Sequence, residues 1–386
     1  MNRKITFCIP SKNNLRYLKN SINSIRENSA YEHDIIVFID ADNDGTEQWC
    51  EENNVTYLKN LDDKPQGIAA GYNRCIEIAR TEIVCMFHAD MYMAKGFDIG
   101  ILKHLKPLSV VSATRIEPPL HPEGKEKIIK NFGLYPEDFI KEDFDSFIEE
   151  TIQANKDKTT KGIFAPWACY KEDITSIGMH DERFHSYHED SDMFNRFILN
   201  DYEIIQSWEA YVYHLTCRGG QFQDGVEQVT KDPAFHEMKN KAMRNYIRKW
   251  GHFVKNDEYQ YPIIPHKYDI GFIVDKCTLE LTAALEPWCS TLYTDDEMGV
   301  IEAYYYDTWV DLKSKFKLSK HTTPTNSIII EFDASKLTQQ AFNILIQLPE
   351  IIADSGEIGT FELDIFKITI KSLNTYENDL IHIYNK

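Results

Sequence analysis

Ile83-Val84-Cys85-Met86-Phe87-His88-Ala89-Asp90 is the stretch on which the fold turns. It is apolar through Phe87 and ends in an acidic turn, the pattern of a short buried strand with Asp90 at its carboxyl end. The elements before it repeat that pattern. Residues 5–10 form an apolar strand broken by Pro10, and Asn13 or Asn14 then caps a helix whose face is Leu15, Leu18, Ile22 and Ile25. Residues 34–39 read as a second strand, ended by the turn Asp40-Ala41-Asp42-Asn43-Asp44-Gly45. A helix over 46–53, a strand over 55–58 and a helix opened by Pro65, with Ile68, Tyr72, Cys75, Ile76 and Ala79 inward, complete the series. Strands alternating with helices predict an α/β fold with a largely parallel sheet covered on both faces. Open sheets of that kind collect ligands at the carboxyl ends of their strands. A carboxylate there, with more acids downstream, suggests a hard-metal site for a diphosphate.

Beyond Asp90 the texture changes. Residues 117–161 are charged and weakly periodic, with prolines at 118, 119, 122 and 136, and are expected to be an insertion or lid, helical over 139–154. Order returns at Gly162-Ile163-Phe164-Ala165-Pro166-Trp167. A helix follows Glu189 with Met193, Phe194, Phe197 and Ile198 buried, Tyr211-Val212-Tyr213-His214 is a strand, and a Lys- and Arg-rich helix covers 233–250. Two prolines among tyrosines over 259–265 mark a boundary. The expected domains are therefore 1–260 and 266–386. The second is read as a small α+β unit, with strands at 270–274, 300–306, 328–332 and 361–370 and helices at 279–285 and 337–352, in a split βαβ arrangement. It carries no catalytic signature.

Composition narrows the function classes. A hydrophobic content of 42% and a charge of 27% are those of an ordinary soluble globular protein. A net charge of −19 without a compensating basic tract excludes a nucleic-acid partner. The clearest basic cluster, Lys313, Lys315, Lys317 and Lys320, places its first three members on one face of a strand and reads as a solvated edge. None of the eight cysteines forms a C-x-x-C pair and several lie in apolar runs, the usage of a reducing compartment. The apolar run after Lys4 is too short for a signal peptide and no stretch reaches membrane-span length, so the expectation is a soluble, cytoplasmic protein.

Several motifs in order carry a resemblance. Ile9-Pro10-Ser11-Lys12-Asn13, the strand 34–37 running into Asp40 and Asp44-Gly45-Thr46, then Gly67, Asn73 and Ala89-Asp90, resemble the N-terminal half of a family 2 glycosyltransferase of the GT-A fold. Asp181-Glu182-Arg183-Phe184, Glu189-Asp190 and Arg196 resemble that family's acceptor-side motif, so the likeness covers residues 3–220. It implies a Rossmann-like nucleotide-sugar-binding domain and a metal-dependent, inverting transfer of a sugar, UDP-linked by expectation, to an acceptor hydroxyl. The implied partners are a nucleotide-sugar donor and a glycan or other hydroxyl acceptor. The implied cofactor is Mn²⁺ or Mg²⁺.

The residues can be weighed beside that likeness. As a sugar nucleotide departs, negative charge grows on the diphosphate, and a cation held by Asp90 stabilises it. Where the family presents Asp-x-Asp, this chain has His88-Ala89-Asp90, so His88 is left to the ribose or a phosphate. Asp40 suits a base or ribose because a carboxylate accepts hydrogen bonds. Pro10 and Ser11 would line the base through backbone, and Asn73 would brace the site from its helix. Glu189 and Asp190 open a helix, where acids are favoured by the dipole alone. The likeness makes Asp190 the base that takes the acceptor proton and Glu189 its orienting partner. His214 is a second candidate metal ligand and Arg218 a partner for the diphosphate, each against a structural role within the fold. Arg196 is expected to pair with nearby acids. Trp167 either stacks on a sugar or packs in the core.

Two rivals remain in view. A sugar-1-phosphate nucleotidyltransferase needs a glycine-rich loop after its first strand, and Ser11-Lys12-Asn13-Asn14 has no glycine. A non-catalytic sugar-nucleotide or glycan-binding GT-A-like module would explain the missing first acid, but not the intact Glu189-Asp190 pair.

Overall fold

The computed structural model describes residues 3–218, 232–275, 277–295, 299–305 and 310–383. The chain divides into two units, one comprising Met1–His236, Asn256–Pro262 and His382–Lys386, the other Glu237–Lys255 and Ile263–Ile381.

The first unit is built on a mixed, mostly parallel sheet. Its strands are β1 (Ile5–Lys12), β2 (Asp34–Ala41), β3 (Thr56–Lys59), β4 (Ile83–Met86), β5 (Met91–Met93), β6 (Ser109–Glu117), β7 (Lys127–Ile129), β8 (Thr159–Thr160), β9 (Trp167–Tyr170) and β10 (Glu203–His214). The order is β3-β2-β1-β4-β9-β6-β10-β5, with β7 added on β6 and β8 on β10. β1 to β4 run parallel, whereas β9 lies antiparallel between β4 and β6. The helices are α1 (Leu15–Asn28), α2 (Thr46–Glu52), α3 (Ile68–Ile78), α4 (Phe97–His104), α5 (Lys141–Ala154), α6 (Lys171–Ser176) and α7 (Glu189–Leu199), followed by α8 (Pro233–Trp250), which runs into the second unit. The α/β alternation predicted before Asp90 is present, because parallel strands covered on both faces must be apolar throughout. Ile5, Phe7, Cys8 and Ile9 and the whole of β4 are buried.

The cap of α1 differs in detail from the expectation. Asn14 occupies the N-cap without a side-chain bond, and Asp44 Oδ2 accepts from Leu15 N at 2.7 Å instead. The segment expected as an insertion is tied into the sheet. Glu117 ends β6 and β7 pairs with it, while Phe144 and Ile148 of α5 pack with Tyr92, Ile116, Phe132, Tyr211 and Tyr213. Trp167 is 1% exposed and rests against His180, Phe194 and Phe197, so it packs in the core and cannot stack on a sugar.

The second unit has its own sheet, in the order β13-β12-β11-β14-β16-β15. The strands are β11 (Ile270–Asp275), β12 (Thr291–Thr294), β13 (Phe316–Leu318), β14 (Ile328–Asp333), β15 (Gly359–Leu363) and β16 (Phe366–Ile370). The helices are α9 (Leu279–Leu285), α10 (Gly299–Tyr305) and α11 (Gln339–Ser355). β14 and β15, joined through α11, both run antiparallel to β16, which lies between them, so this part of the sheet is a split βαβ unit, whereas β11 bonds directly to β12.

Three element predictions here need correction. The strand expected over 300–306 is helix α10, because Ile301, Tyr304 and Tyr305 fall on one helical face and pack on the core; Tyr306 lies outside the described residues. The strand expected over 361–370 is a hairpin, turned at Asp364 with φ +53°, a conformation aspartate tolerates. The lysines do not share a strand face. Lys313–Lys315 is a 3₁₀ turn and Lys315 bonds the buried Glu286.

Candidate active site

Asp90 lies just beyond β4, and three elements hold the turn that carries it. Phe87 N donates to Cys8 O, extending the β1–β4 ladder past β4. Ser21 Oγ of α1 lies 2.8 Å from Ala89 O and accepts from Met91 N at 3.2 Å. The segment after β10 wraps the other side, with Leu215 N donating to Asp90 O at 3.0 Å and Arg218 N to Asp90 Oδ2 at 2.9 Å. The antiparallel register of β5 and β10 places His214 opposite Met91. That pairing carries His214 to Asp90 across more than a hundred residues of chain, leaving His214 Nε2 3.5 Å from Asp90 Oδ1.

His88 completes the group. One ligand atom from each of His88, Asp90 and His214 lies within 4.8 Å of the others. Burial opposes ionisation of Asp90, yet His214, His88 and the Arg218 N–H hold its carboxyl well below the usual carboxylate range. Burial likewise disfavours charge on His214, but Asp90 and Glu117 overcome it and raise its pKa to about 9. Burial dominates at His88 and lowers its pKa to about 4, so that imidazole is neutral at pH 7. Two imidazoles and a carboxylate, one imidazole already neutral, form a set able to hold a divalent cation.

Sequence reasoning missed Glu117, which accepts from His214 Nδ1 at 2.9 Å. Placed before Pro118-Pro119, it read as the start of a loop, whereas it closes a strand buried along its whole length.

Arg218 sits beside Asp90, 4% exposed, with its guanidinium 4.9 Å from the Tyr135 ring centre and one N–H donated to Leu134 O. Its Nε and Nη1 have no partner among the described residues. Backbone φ angles of +73° at Thr216 and +51° at Cys217 make the turn that delivers it. The Gly219-Gly220 pair after it lies outside the described residues.

The residues expected at the nucleotide end are fixed differently. Asp40 accepts from Gln66 N at 2.7 Å, Gly67 N at 3.0 Å and Asn60 Nδ2 at 3.0 Å, so its carboxylate closes the loop ahead of α3. Ser11 Oγ is buried without a partner among the described residues, and Pro10 packs beside Gly71. Asn73 bonds His180 N and O, both at 2.9 Å, and Glu182 Oε1 at 3.0 Å. It thereby fastens the loop leading to α7.

That loop arrives at α7 with Tyr187 at φ +71° and His188 at φ +68°, both in the left-handed region that costs an ordinary residue energy. Glu189 is 8% exposed with Oε2 unpartnered among the described residues, and Asp190 beside it is partly exposed. Burial, then the charge of Asp190, raises the Glu189 pKa to about 8, so its carboxyl keeps a proton at neutral pH. Arg196 is wholly buried and spent on structure, as expected. It donates to Asp192 Oδ2 at 2.9 Å, to Ile177 O at 2.9 Å and to Met179 O.

Residues 6–174 match the family described as Glycosyl transferase family 2. This segment is a little under half of the chain. Among solved structures, the chain is similar to residues 1–349 of S. aureus TarS, with 16% identity and a TM-score of 0.41 over 63% of this chain and 64% of that one. It is also similar to GalNAc-T7 bound to UDP, GalNAc and Mn²⁺, with 10% identity and a TM-score of 0.46 over 66% of this chain and 48% of that one. The chain thus spans less than two thirds of the length of either. A comparison with curated proteins gives no match. No helix among the described residues is long and apolar enough to cross a membrane.

Proposed function

We propose that the first unit is a metal-dependent, inverting glycosyltransferase that moves a sugar from a nucleotide-linked donor to an acceptor hydroxyl. The cation would be held by Asp90, His214 and His88. Once bound, it would stabilise the negative charge that grows on the departing diphosphate. Two imidazoles beside one carboxylate favour Mn²⁺ over Mg²⁺, which prefers oxygen ligands throughout.

The chain's own groups supply the rest. Arg218 offers two unspent N–H groups next to Asp90, suited to a phosphate oxygen. Pro10, Ser11 and the loop closed by Asp40 would form the nucleotide end, with UDP the first donor to test. Asp190 would take the proton of the acceptor hydroxyl as it attacks, and direct displacement would invert the anomeric centre. Glu189, kept protonated, would donate a hydrogen bond that orients the acceptor or Asp190. Residues 117–161 would help to build the acceptor side, and residues 266–386 would form an accessory domain.

The observation that carries this reading is the convergence of His88, Asp90 and His214 with the unspent Arg218 N–H groups, beyond the end of β4, in a chain whose residues 6–174 match this family. The test is nucleotide release from a panel of UDP-, GDP- and CMP-sugars with Mn²⁺, Mg²⁺ or EDTA, followed by NMR of the product's anomeric configuration. Release from one donor that stops with EDTA, and an inverted product, support it. No release and no binding of any donor would sink it.

A further inference from the structure

Glu117 takes no part in the chemistry assigned above, yet it is bound directly to one of the three residues proposed to hold the cation. It is 1% exposed at the end of β6. Its Oε1 accepts from Arg115 Nη1 at 2.7 Å and from His214 Nδ1 at 2.9 Å, and its Oε2 accepts from Lys127 Nζ at 2.9 Å. Lys127 stands opposite Arg115 in the β6–β7 register. Arg115 also donates to Glu126 Oε1 at 3.1 Å, with its guanidinium 3.7 Å from the Phe164 ring centre.

Two cations already neutralise this carboxylate, so the imidazole is not needed to balance its charge. What the contact does is orient His214. A carboxylate accepts and does not donate, so the ring must carry hydrogen on Nδ1. The other nitrogen, Nε2, is the one that faces Asp90.

We propose that Glu117 is a positioning residue that fixes the tautomer and rotation of His214, so that Nε2 is presented to the divalent cation shared with Asp90 and His88. The inference rests on the metal-dependent reading above. With both oxygens engaged, Glu117 stands behind the ligand and is not itself one. Arg115 and Lys127 hold it in place. Carboxylates in this position behind a metal-binding histidine are typically worth about 10–100-fold in metal affinity.

The experiment is calorimetric titration of Mn²⁺ alone into the metal-free full chain, with thermal melts to check folding. Glu117→Gln should weaken binding by about 10–100-fold. Glu126→Gln removes a carboxylate from the same Arg115 without touching His214, and should leave the affinity at the wild-type value. In a His214→Gln background, Glu117→Gln should add no further loss. Should Glu117→Gln fail to fold, Glu117→Asp keeps a negative charge beside Arg115 and Lys127 but draws the acceptor back by one methylene, and the same loss is expected. Wild-type affinity in both variants would overturn the proposal. So would a loss of equal size in the His214→Gln background, because the effect would not pass through His214. Absence of Mn²⁺ binding by the wild type would instead bring down the metal-dependent reading itself.

Discussion

Replacing Gly67 with alanine separates two costs that are usually confounded. Gly67 adopts φ +90° and ψ 176°, a region populated in practice by glycine alone. A Cβ there would lie 2.0 Å from His185 O and 2.6 Å from His185 C and Cα. Those atoms are backbone, so no side chain can swing aside. Either the loop before α7 or the start of α3 must move, breaking into the 2.7 Å bond from Ile68 N to His185 O and the 3.0 Å bond from Gly67 N to Asp40. Gly96 is the control, because its φ is +82° and a Cβ there would meet nothing within 4 Å. Gly96→Ala should therefore cost only the left-handed backbone, about 1–2 kcal/mol. Gly67→Ala should add about 1–3 kcal/mol of overpacking to about 1–3 kcal/mol of strain, giving a total of about 2–6 kcal/mol. Urea unfolding followed by tryptophan fluorescence would measure both. Because the displaced loop leads to Glu189 and Asp190, the KM for acceptor should rise in Gly67→Ala and not in Gly96→Ala. Equal destabilisation by the two substitutions would refute the reasoning.

Other perturbations reach different links of the account. Asp190→Asn should lower kcat by about 10²–10⁴-fold with little change in donor KM, as expected for loss of a general base; an unchanged kcat would remove Asp190 from that role. Arg196→Met should destabilise the chain by about 3–5 kcal/mol in denaturant melts, because the buried Asp192 carboxylate loses its Arg196 partner and the carbonyls of Ile177 and Met179 each lose a donor. Glu189 makes stability depend on pH. Its folded pKa of about 8 exceeds the ordinary 4.5, so the stability it contributes is full below pH 4.5 and is lost as pH rises towards about 8. Glu189→Gln should flatten that slope, a difference on the order of 2–4 kcal/mol between pH 5 and 9, and an unaltered slope would show that Glu189 does not keep its proton.

What could be read in advance followed from local rules. β1, β2 and β4 announce themselves because parallel strands buried on both faces are largely apolar runs, whereas β3 is an edge strand with no buried residue. Asp90 stands out as the acid that ends one of them. The partners of Asp90 were harder to see. His214 reaches it only through the β5–β10 register, and the contact between Glu117 and His214 spans nearly a hundred residues. Glu117 was hidden further because β6 buries Ser112, Thr114, Arg115 and Glu117 alongside its apolar residues, so the strand shows no alternation by which to judge its end. Gly67 and Asn73 were legible as motif members. Their physical task of fastening the loop ahead of α7 depends on backbone atoms that a sequence does not display. In the second unit, the aromatic and β-branched residues of α10 favour a strand, and packing of its helical face overrides that preference.

The most direct test of the central claim is nucleotide release from the donor selected by the panel, measured with Mn²⁺ and with EDTA for the wild type and Asp90→Ala. Thermal melts would establish that the variant is folded. The account predicts release by the wild type that disappears with EDTA and is absent, with or without Mn²⁺, in Asp90→Ala. Release that is indifferent to EDTA, or a folded Asp90→Ala that turns over donor like the wild type, would contradict it.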